Sequence, residues 1–329
     1  MTIHFENPPG QMLKILVLGG TGFVGQHVCE KLVDLQWRVT LPTRRSQNGR
    51  PLQMLPLLTV LQGDVHDEAT LNQLVAGHDA VVNLVAILHG DEAAFNHTHV
   101  ELPQKLARAC AKAGVTRVVH VSALGAALDA PSMYQRSKAR GEQALQAAQL
   151  DLTLLRPSVI FGAADKFLNL FAKLQRVFPF VPLAGAATRF QPVWVQDVAS
   201  AITHCLQHTD TVGKTFDLCG PEVFTLKELV QLAAQMSGIN QGRGRPVFAL
   251  PMALGKLQAA LMSLAPGAPL MSRDNLDSMS VDNVTDGQLP GLQALGIDAA
   301  SLLAIGPDYL GGQGKYRSLE ELRKAAARA

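Results

Sequence analysis

A chain of 329 residues, 47% of them hydrophobic, can bury a large core and is somewhat long for one compact unit. The formal net charge is only +2, with Lys and Arg spread along the chain, which excludes the concentrated basic footprint of a nucleic-acid binder. The four cysteines form no C-x-x-C pair, no uninterrupted apolar run reaches the ~20 residues that span a bilayer, and MTIHFENPPGQ is not a secretory leader.

From the N-terminus, KILVLG (14–19) predicts a strand and Phe23 to Gln36 a helix with Val24, Val28, Leu32 and Leu35 on one face. WRVTL (37–41) and TVLQG (59–63) predict the second and third strands, separated from DAVVNLV (79–85), the fourth, by a helix containing Leu71 to Ala76. A helix over Val100–Ala113, a fifth strand RVVHVS (117–122), a helix over Tyr134–Ala148 and a sixth strand opening LTLLRPSVIFG (152–162) follow. Strands this apolar are buried on both faces, and alternation with helices implies a doubly wound parallel sheet of Rossmann type, with helices on both faces.

Beyond it we expect a smaller C-terminal α/β region on the substrate side. It comprises a helix at 166–177, a Pro-rich stretch at 178–185, a strand at 190–195, a helix at 197–206 and a strand at 215–220. A capped helix at 225–238 (Thr225 with Glu228), a strand at 246–250, an apolar helix at 252–264, a poorly patterned stretch and a charged terminal helix opening on Ser318 and Glu321 complete it. The expected division is 12–162 for nucleotide binding and 163–329 for the elaboration, interleaved with the sheet through 190–195.

The stretch GGTGFVG (19–25) lies between a strand and a helix, the context that a dinucleotide loop requires. Two fingerprints overlap there, one on Gly20, Gly22 and Gly25 and one on Gly19, Gly22 and Gly25. Glycines permit the turn, the approach of backbone to pyrophosphate and the packing of helix on strand, and the helix N-terminus favours the anion. Candidate cofactor contacts are Gly19, Thr21, Gly22, Phe23, Val24 and Gly25. The second strand then runs into Thr43, Arg44 and Arg45 instead of an acidic residue. Paired guanidinium groups suit a ribose 2′-phosphate, so NADP(H) is favoured over NAD(H).

Ser122 ends the fifth strand, and Tyr134 and Lys138 share a helix face at i and i+4. A lysine beside a phenol should lower the phenol's pKa and make Tyr134 a proton donor or acceptor, with Ser122 orienting a carbonyl. These three are the candidate catalytic residues. His97 and His99 form H-x-H without a recognisable third ligand, so no metal is expected. His89 lies just past the fourth strand, and Asp197 is expected to cap a helix. The segment 161–185 carries five phenylalanines and is expected to roof an apolar substrate.

Together GGTGFVG, GDV (63–65), NLVAIL (83–88), HVSALGA (120–126), YQRSK (134–138) and RPSVIFG (156–162) resemble the short-chain dehydrogenase/reductase superfamily. With FLNLFAKL (167–174) and FQPVWVQDVA (190–199) the chain looks like the atypical extended group, NAD-dependent epimerase/dehydratase-like proteins. That group includes the Rossmann accessory subunit of respiratory complex I and its free-standing bacterial relatives. The resemblance selects Gly19, Gly22 and Gly25 as the operative spacing and leaves the turn to Gly20. It implies that Asp64 and Val65 flank the adenine, and that Leu84, Val85 and Ala86 line the cofactor. It also implies that Pro157, Ser158 and Val159 touch the nicotinamide side, with Tyr134 and Lys138 contacting the cofactor as well. Two functions follow from it: an oxidoreductase acting on an apolar carbonyl or quinone-related substrate, or a non-catalytic NADPH-binding assembly or stability factor for a respiratory or quinone-biosynthesis complex. A redox sensor acting through a protein partner is a third. The expected location is cytoplasmic, of bacterial type and compatible with a peripheral place at the inner membrane, and a homo-oligomer or protein partner is compatible with the sequence.

Overall fold

The computed structural model describes residues 12–255 and 272–311. Its centre is a seven-stranded sheet in the order β11-β6-β5-β4-β1-β2-β3. The strands are β1 (Lys14–Leu18), β2 (Arg38–Thr43), β3 (Leu58–Gln62), β4 (Ala80–Asn83), β5 (Arg117–Val121), β6 (Asp151–Pro157) and β11 (Thr215–Leu218), all paired in parallel. The chain winds outward from β1 to β3 and returns to β4 on β1's other side, so the reversal point lies between β1 and β4. Open sheets of this kind bind ligands beyond the carboxyl ends of the strands at such a point.

Alternation along β1 divides the core. Ile15 and Val17 pack with Val28 and Leu32 of α1 (Phe23–Asp34) and with Val198 and Ile202 of α7 (Val195–Gln207). Leu16 and Leu18 face α2 (Glu68–Val75), α4 (Leu102–Ala113) and α5 (Met133–Gln146) through Leu71, Leu106 and Leu145. A fully buried arginine ties three elements together. Arg117 of β5 donates to Asp151 O and Thr153 Oγ1 of β6, to Cys205 O of α7 and to Thr211 Oγ1. Burial lowers its pKa to about 10, and these acceptors stand in for the lost water.

A separate core outside the sheet joins Phe161, Phe171, Phe190, Leu226, Leu229, Leu302 and Tyr309. It is framed by α6 (Leu168–Val177), α8 (Leu226–Met236) and three two-stranded pieces. These pair β7 (Ile160–Phe161) with β10 (Val193–Trp194), β9 (Arg189–Phe190) with β12 (Phe224–Thr225), and β8 (Val181–Ala184) with β13 (Val247–Leu250).

Several expectations change. Residues 190–195 are not one strand of the main sheet. Gln191 and Pro192 separate β9 from β10, and each pairs elsewhere. The Pro-rich stretch contains β8, whose Pro182 lies on a ribbon with a free edge. The helix expected from Val100 begins at Glu92 as α3 (Glu92–Asn96) and passes through a π-helical turn, His97–Glu101, into α4. The poorly patterned stretch holds helices at Arg273–Ser278 and Leu302–Leu310. Asp197 does not cap α7, whose N-cap is Trp194, and accepts instead from Ala300 N–H at 2.8 Å. The Thr225–Glu228 capping box forms on α8. Most of the apolar helix at 252–264 and the terminal helix at Ser318 fall outside the described residues.

Candidate functional site

Gly19 takes the turn after β1 with φ +81°, a left-handed conformation that favours glycine, and Gly22 N–H closes it by donating to Gly19 O at 3.0 Å. A Cβ on Gly25 would lie 2.5 Å from Gly19 O and from Gly20 Cα, so the start of α1 can sit on the loop only without a side chain. A Cβ on Gly22 would meet only Gly19 O, at 3.2 Å, which leaves this backbone open to a ligand. Gly20 is a central residue of this turn, and a Cβ there would also meet Leu41 Cδ1 of β2 at 2.7 Å, so its smallness serves the core as well. No side chain caps the exposed N–H groups at the start of α1.

A cavity of 510 Å³ opens beside this loop, lined by Gly19, Thr21, Arg44, Arg45, Val65 and Val85 among the expected residues. That volume is within the roughly 300–1,000 Å³ of cofactor and small-molecule sites. Arg44 and Arg45 are exposed just past the end of β2, and neither forms an ion pair among the described residues. Thr43 Oγ1 donates to Arg45 O at 3.1 Å and fixes the bend. The residues present thus fit a dinucleotide's anionic half: open backbone at a helix N-terminus and two guanidinium groups at the rim. Thr43 and Gly63, from the stretches singled out in the sequence, line the cavity too, as do Pro42, Asn48 and His66, which were not anticipated. His66 stacks on His97 with ring centroids 4.3 Å apart, a contact across the fold without a local signal. Asp64 does not line the cavity; its carboxylate accepts from His66 N–H at 3.0 Å and shapes the turn after β3.

Phe23, Val24 and Gly25 belong to α1 rather than to the cavity wall, and Leu84 and Ala86 flank the lining residue Val85. Ser122, Tyr134 and Lys138 form a second corner at the carboxyl end of β5. Lys138 Nζ donates to Val121 O at 2.8 Å, the carbonyl that precedes Ser122. Ser122 Oγ is buried and has no partner among the described residues. Ser132 caps α5, and Asp274 completes the job from far along the chain, accepting from Met133 N–H at 2.6 Å and Tyr134 N–H at 3.1 Å.

Behind Tyr134 lies a directional chain of hydrogen bonds. Ile87 N–H donates to His99 Nε2 at 3.1 Å, which places the imidazole proton on Nδ1. That nitrogen donates to Ser137 Oγ at 2.8 Å, and Ser137 donates to Tyr134 O at 2.8 Å. Burial holds the His99 pKa at about 3, so the ring is neutral. His99 and Phe95 meet the Tyr134 ring edge-on, at 5.5 Å and 6.1 Å. His97 turns away to Glu101 at 3.0 Å, so the two histidines of H-x-H do not converge.

The expected activation of the phenol is not found. Burial raises Tyr134 to about 12 and lowers Lys138 to about 8, the latter partly offset by Glu142. Lys138 is engaged with Val121 O, so its charge does not dominate at the phenol. Of the nicotinamide-side trio, Ser158 donates to Asn283 Oδ1 at 2.6 Å, Val159 N–H donates to the same oxygen at 3.2 Å, and Pro157 O accepts from Leu124 N–H at 2.9 Å. The supposed aromatic roof also divides: Phe161 and Phe171 are buried, Phe167 packs against Phe171 and Phe190, and Phe178 and Phe180 are exposed.

Comparison with known proteins decides the family. Residues 15–219 match the model of the NAD dependent epimerase/dehydratase family. The chain belongs to this family. Among its relatives, subunit 9 of the NADH dehydrogenase [ubiquinone] 1 alpha subcomplex from Mus musculus mitochondria is 33% identical over 310 residues, covering 92% of this chain and 81% of the relative. A ceramide reductase from Caulobacter vibrioides is 28% identical over 190 residues, 57% of this chain and 59% of that one. A solved dTDP-glucose 4,6-dehydratase from Streptomyces venezuelae with NAD and TYD bound superposes with a TM-score of 0.64 and 25% identity, covering 73% of this chain and 84% of that one. Within the epimerase/dehydratase family this chain is thus an atypical short-chain dehydrogenase/reductase resembling the complex I accessory subunit. Among the described residues no helix is long and apolar enough to cross a membrane.

Proposed function

We propose that this protein is an NADP(H)-binding oxidoreductase of the epimerase/dehydratase family that acts on an apolar carbonyl or quinone-related substrate. The observation that carries the nucleotide preference is the rim of the cavity, where Arg44 and Arg45 stand at the end of β2 in place of an acidic residue. Two guanidinium groups attract a 2′-phosphate, and a carboxylate there would repel it. Thr21 and the open backbone at Gly22 hold the pyrophosphate, and Val65 and His66 flank the adenine.

The bound nicotinamide supplies or accepts hydride. Ser122 Oγ, buried and unpartnered, donates to the substrate's carbonyl oxygen and orients it. Tyr134 gives that oxygen its proton during reduction and takes it back during oxidation. Lys138 holds the ribose and, while protonated, stabilises the phenolate left behind. Phe95 supplies an apolar wall at the Tyr134 ring. The test is to purify the protein, identify the nucleotide that accompanies it and compare affinities. NADPH should bind at least ten-fold tighter than NADH, and equal affinities would refute the preference. Turnover of an apolar carbonyl with loss on Tyr134→Phe supports the catalytic part, and turnover of hydrophilic sugars alone would refute the substrate class.

One observation favours a second reading. Tyr134 at about 12 and Lys138 engaged with Val121 O describe a corner that is not preset for proton transfer at neutral pH. In that reading the nucleotide is held to stabilise the fold, and the protein serves assembly or stability of a respiratory or quinone-biosynthesis complex, in line with the mouse relative's name. Unchanged nucleotide binding and unchanged cellular function in Tyr134→Phe would select it.

A further inference from the structure

The second core leaves an apolar surface uncovered. Val177, Phe178 and Phe180 follow α6 and are 64%, 51% and 51% exposed, and Phe248 of β13 is 57% exposed. Phe180 and Phe248 form one surface, and Val177 and Phe178 directly precede it along the chain. The rings of Phe180 and Phe248 meet edge-to-face at 6.0 Å, and Phe248 lies opposite Pro182 across the β8–β13 ribbon. Val181 and Leu183 of β8 and Val247 of β13 point into the core, so the opposite face of this ribbon carries Pro182 and Phe248 in the open, while its far end, Ala184 and Leu250, is covered by Leu276. Leu254 extends the surface: it is 52% exposed, and its neighbour Gly255 packs against Ala184 at the far end of β8. A ribbon face turned to water is ordinarily polar, and this one is not.

Charge says what covers it. The segments 166–188 and 229–255 hold five of the chain's 29 basic residues and none of its 27 acidic ones. Lys173, Arg176, Arg243 and Arg245 are exposed, and none forms an ion pair among the described residues. Arg176 directly precedes the run Val177–Phe180, and Arg245 N–H donates to Gln175 Oε1 of α6 at 2.6 Å, which brings the second basic segment to the first. Protruding aromatic side chains beside unpaired cations, with no carboxylate in either segment, match the interfacial zone of a bilayer rich in anionic lipid. A protein interface of mixed charge would call for acids as well.

We propose that the β8–β13 ribbon and the end of α6 form a docking surface for an anionic membrane, with Phe178, Phe180 and Phe248 entering the headgroup region and Arg176, Arg243 and Arg245 pairing with lipid phosphates. The protein then works as a peripheral membrane protein whether or not its nucleotide turns over.

The test is flotation of the full-length chain with vesicles of phosphatidylcholine alone and of phosphatidylcholine with 30 mol% phosphatidylglycerol, roughly the anionic content such surfaces offer. Binding to the anionic vesicles should exceed binding to the neutral ones by at least about ten-fold and should fall steeply in high salt. Phe180→Glu/Phe248→Glu should abolish it, and Arg243→Glu/Arg245→Glu should remove the preference for anionic lipid. Both variants alter exposed side chains away from the nucleotide cavity, so unchanged NADPH binding verifies that they fold. Flotation with neither vesicle, or flotation undiminished in the folded variants, overturns the proposal. So does a chain that ignores vesicles and forms a dimer that Phe180→Glu/Phe248→Glu disperses, which would assign the surface to a second copy.

Discussion

At the nucleotide cavity the working parts are backbone and exposed cations: Gly19 turns, Gly22 leaves its face open, and Arg44 and Arg45 stand in solvent. At the Ser122–Tyr134–Lys138 corner, on the same carboxyl edge of the sheet, the working parts are side chains, Ser122 and Lys138 buried and Tyr134 half-buried. They are held by partners from four other places: Val121, His99, Ile87 and Asp274. The cradle is local and open to solvent, and the corner is distributed and largely enclosed. The cavity and the corner therefore rest on largely separate sets of interactions, with Lys138 the proposed link between them through the ribose.

The sharpest way to break the corner is Gly141→Ala. Gly141 of α5 lies against the carbonyl of His99 so closely that a Cβ would fall well inside van der Waals contact with that oxygen. Pushing α5 off the π-helical turn should cost about 3 kcal/mol or more in urea denaturation, with turnover lost. Asp274→Ala should come next. Uncapping two part-buried N–H groups costs ~1–2 kcal/mol, and kcat should fall while the Kd for NADPH changes less than about three-fold. Equal losses in both would show that the two regions are coupled. Arg44→Ala/Arg45→Ala should do the converse, weakening NADPH by ~10- to 100-fold with NADH nearly unchanged, since a charge-assisted hydrogen bond contributes ~1.5–3 kcal/mol.

The smallest effect is on pH dependence. His99 has a folded pKa of about 3 against an ordinary 6.5, so below pH 6.5 the unfolded chain takes a proton that the folded chain refuses. Stability from this group is complete above pH 6.5 and declines as pH falls toward 3, by at most about 1.4 kcal/mol per pH unit. Burial lowers His66, His78, His89, His120 and His204 in the same direction. Asp165, Asp197 and Asp217 are raised by burial and act oppositely. Melting temperatures measured between pH 7 and pH 5 should therefore drop, and His99→Gln should flatten the slope.

The same contrast explains what could be read from the chain alone. The cradle's glycines, the strand that precedes them and the arginines after β2 lie within a few dozen residues, where turn chemistry and apolar alternation carry the signal. Strand ends were less legible: β2 runs on through Pro42 and Thr43 because pairing with β3 continues there. The prolines of 178–185 concealed β8, and Pro103 near the start of α4 concealed that the helix continues back to Glu92. At the corner, residue types were readable and their state was not. Lowering of the Tyr134 pKa followed from spacing, but burial and the hold of Val121 O on Lys138 depend on the packed fold. Asp274 and Asn283 carry no local signal, because each meets its partner only after the chain has returned across the sheet edge.

The cap that Asp274 places on α5 also sets an order of events. As the chain emerges from a ribosome, the glycine loop, the arginines and Val85 are all available long before Asp274 has been made. The start of the Tyr134 helix therefore receives its final cap only once the chain has been made some 140 residues further on, long after the cavity's own residues.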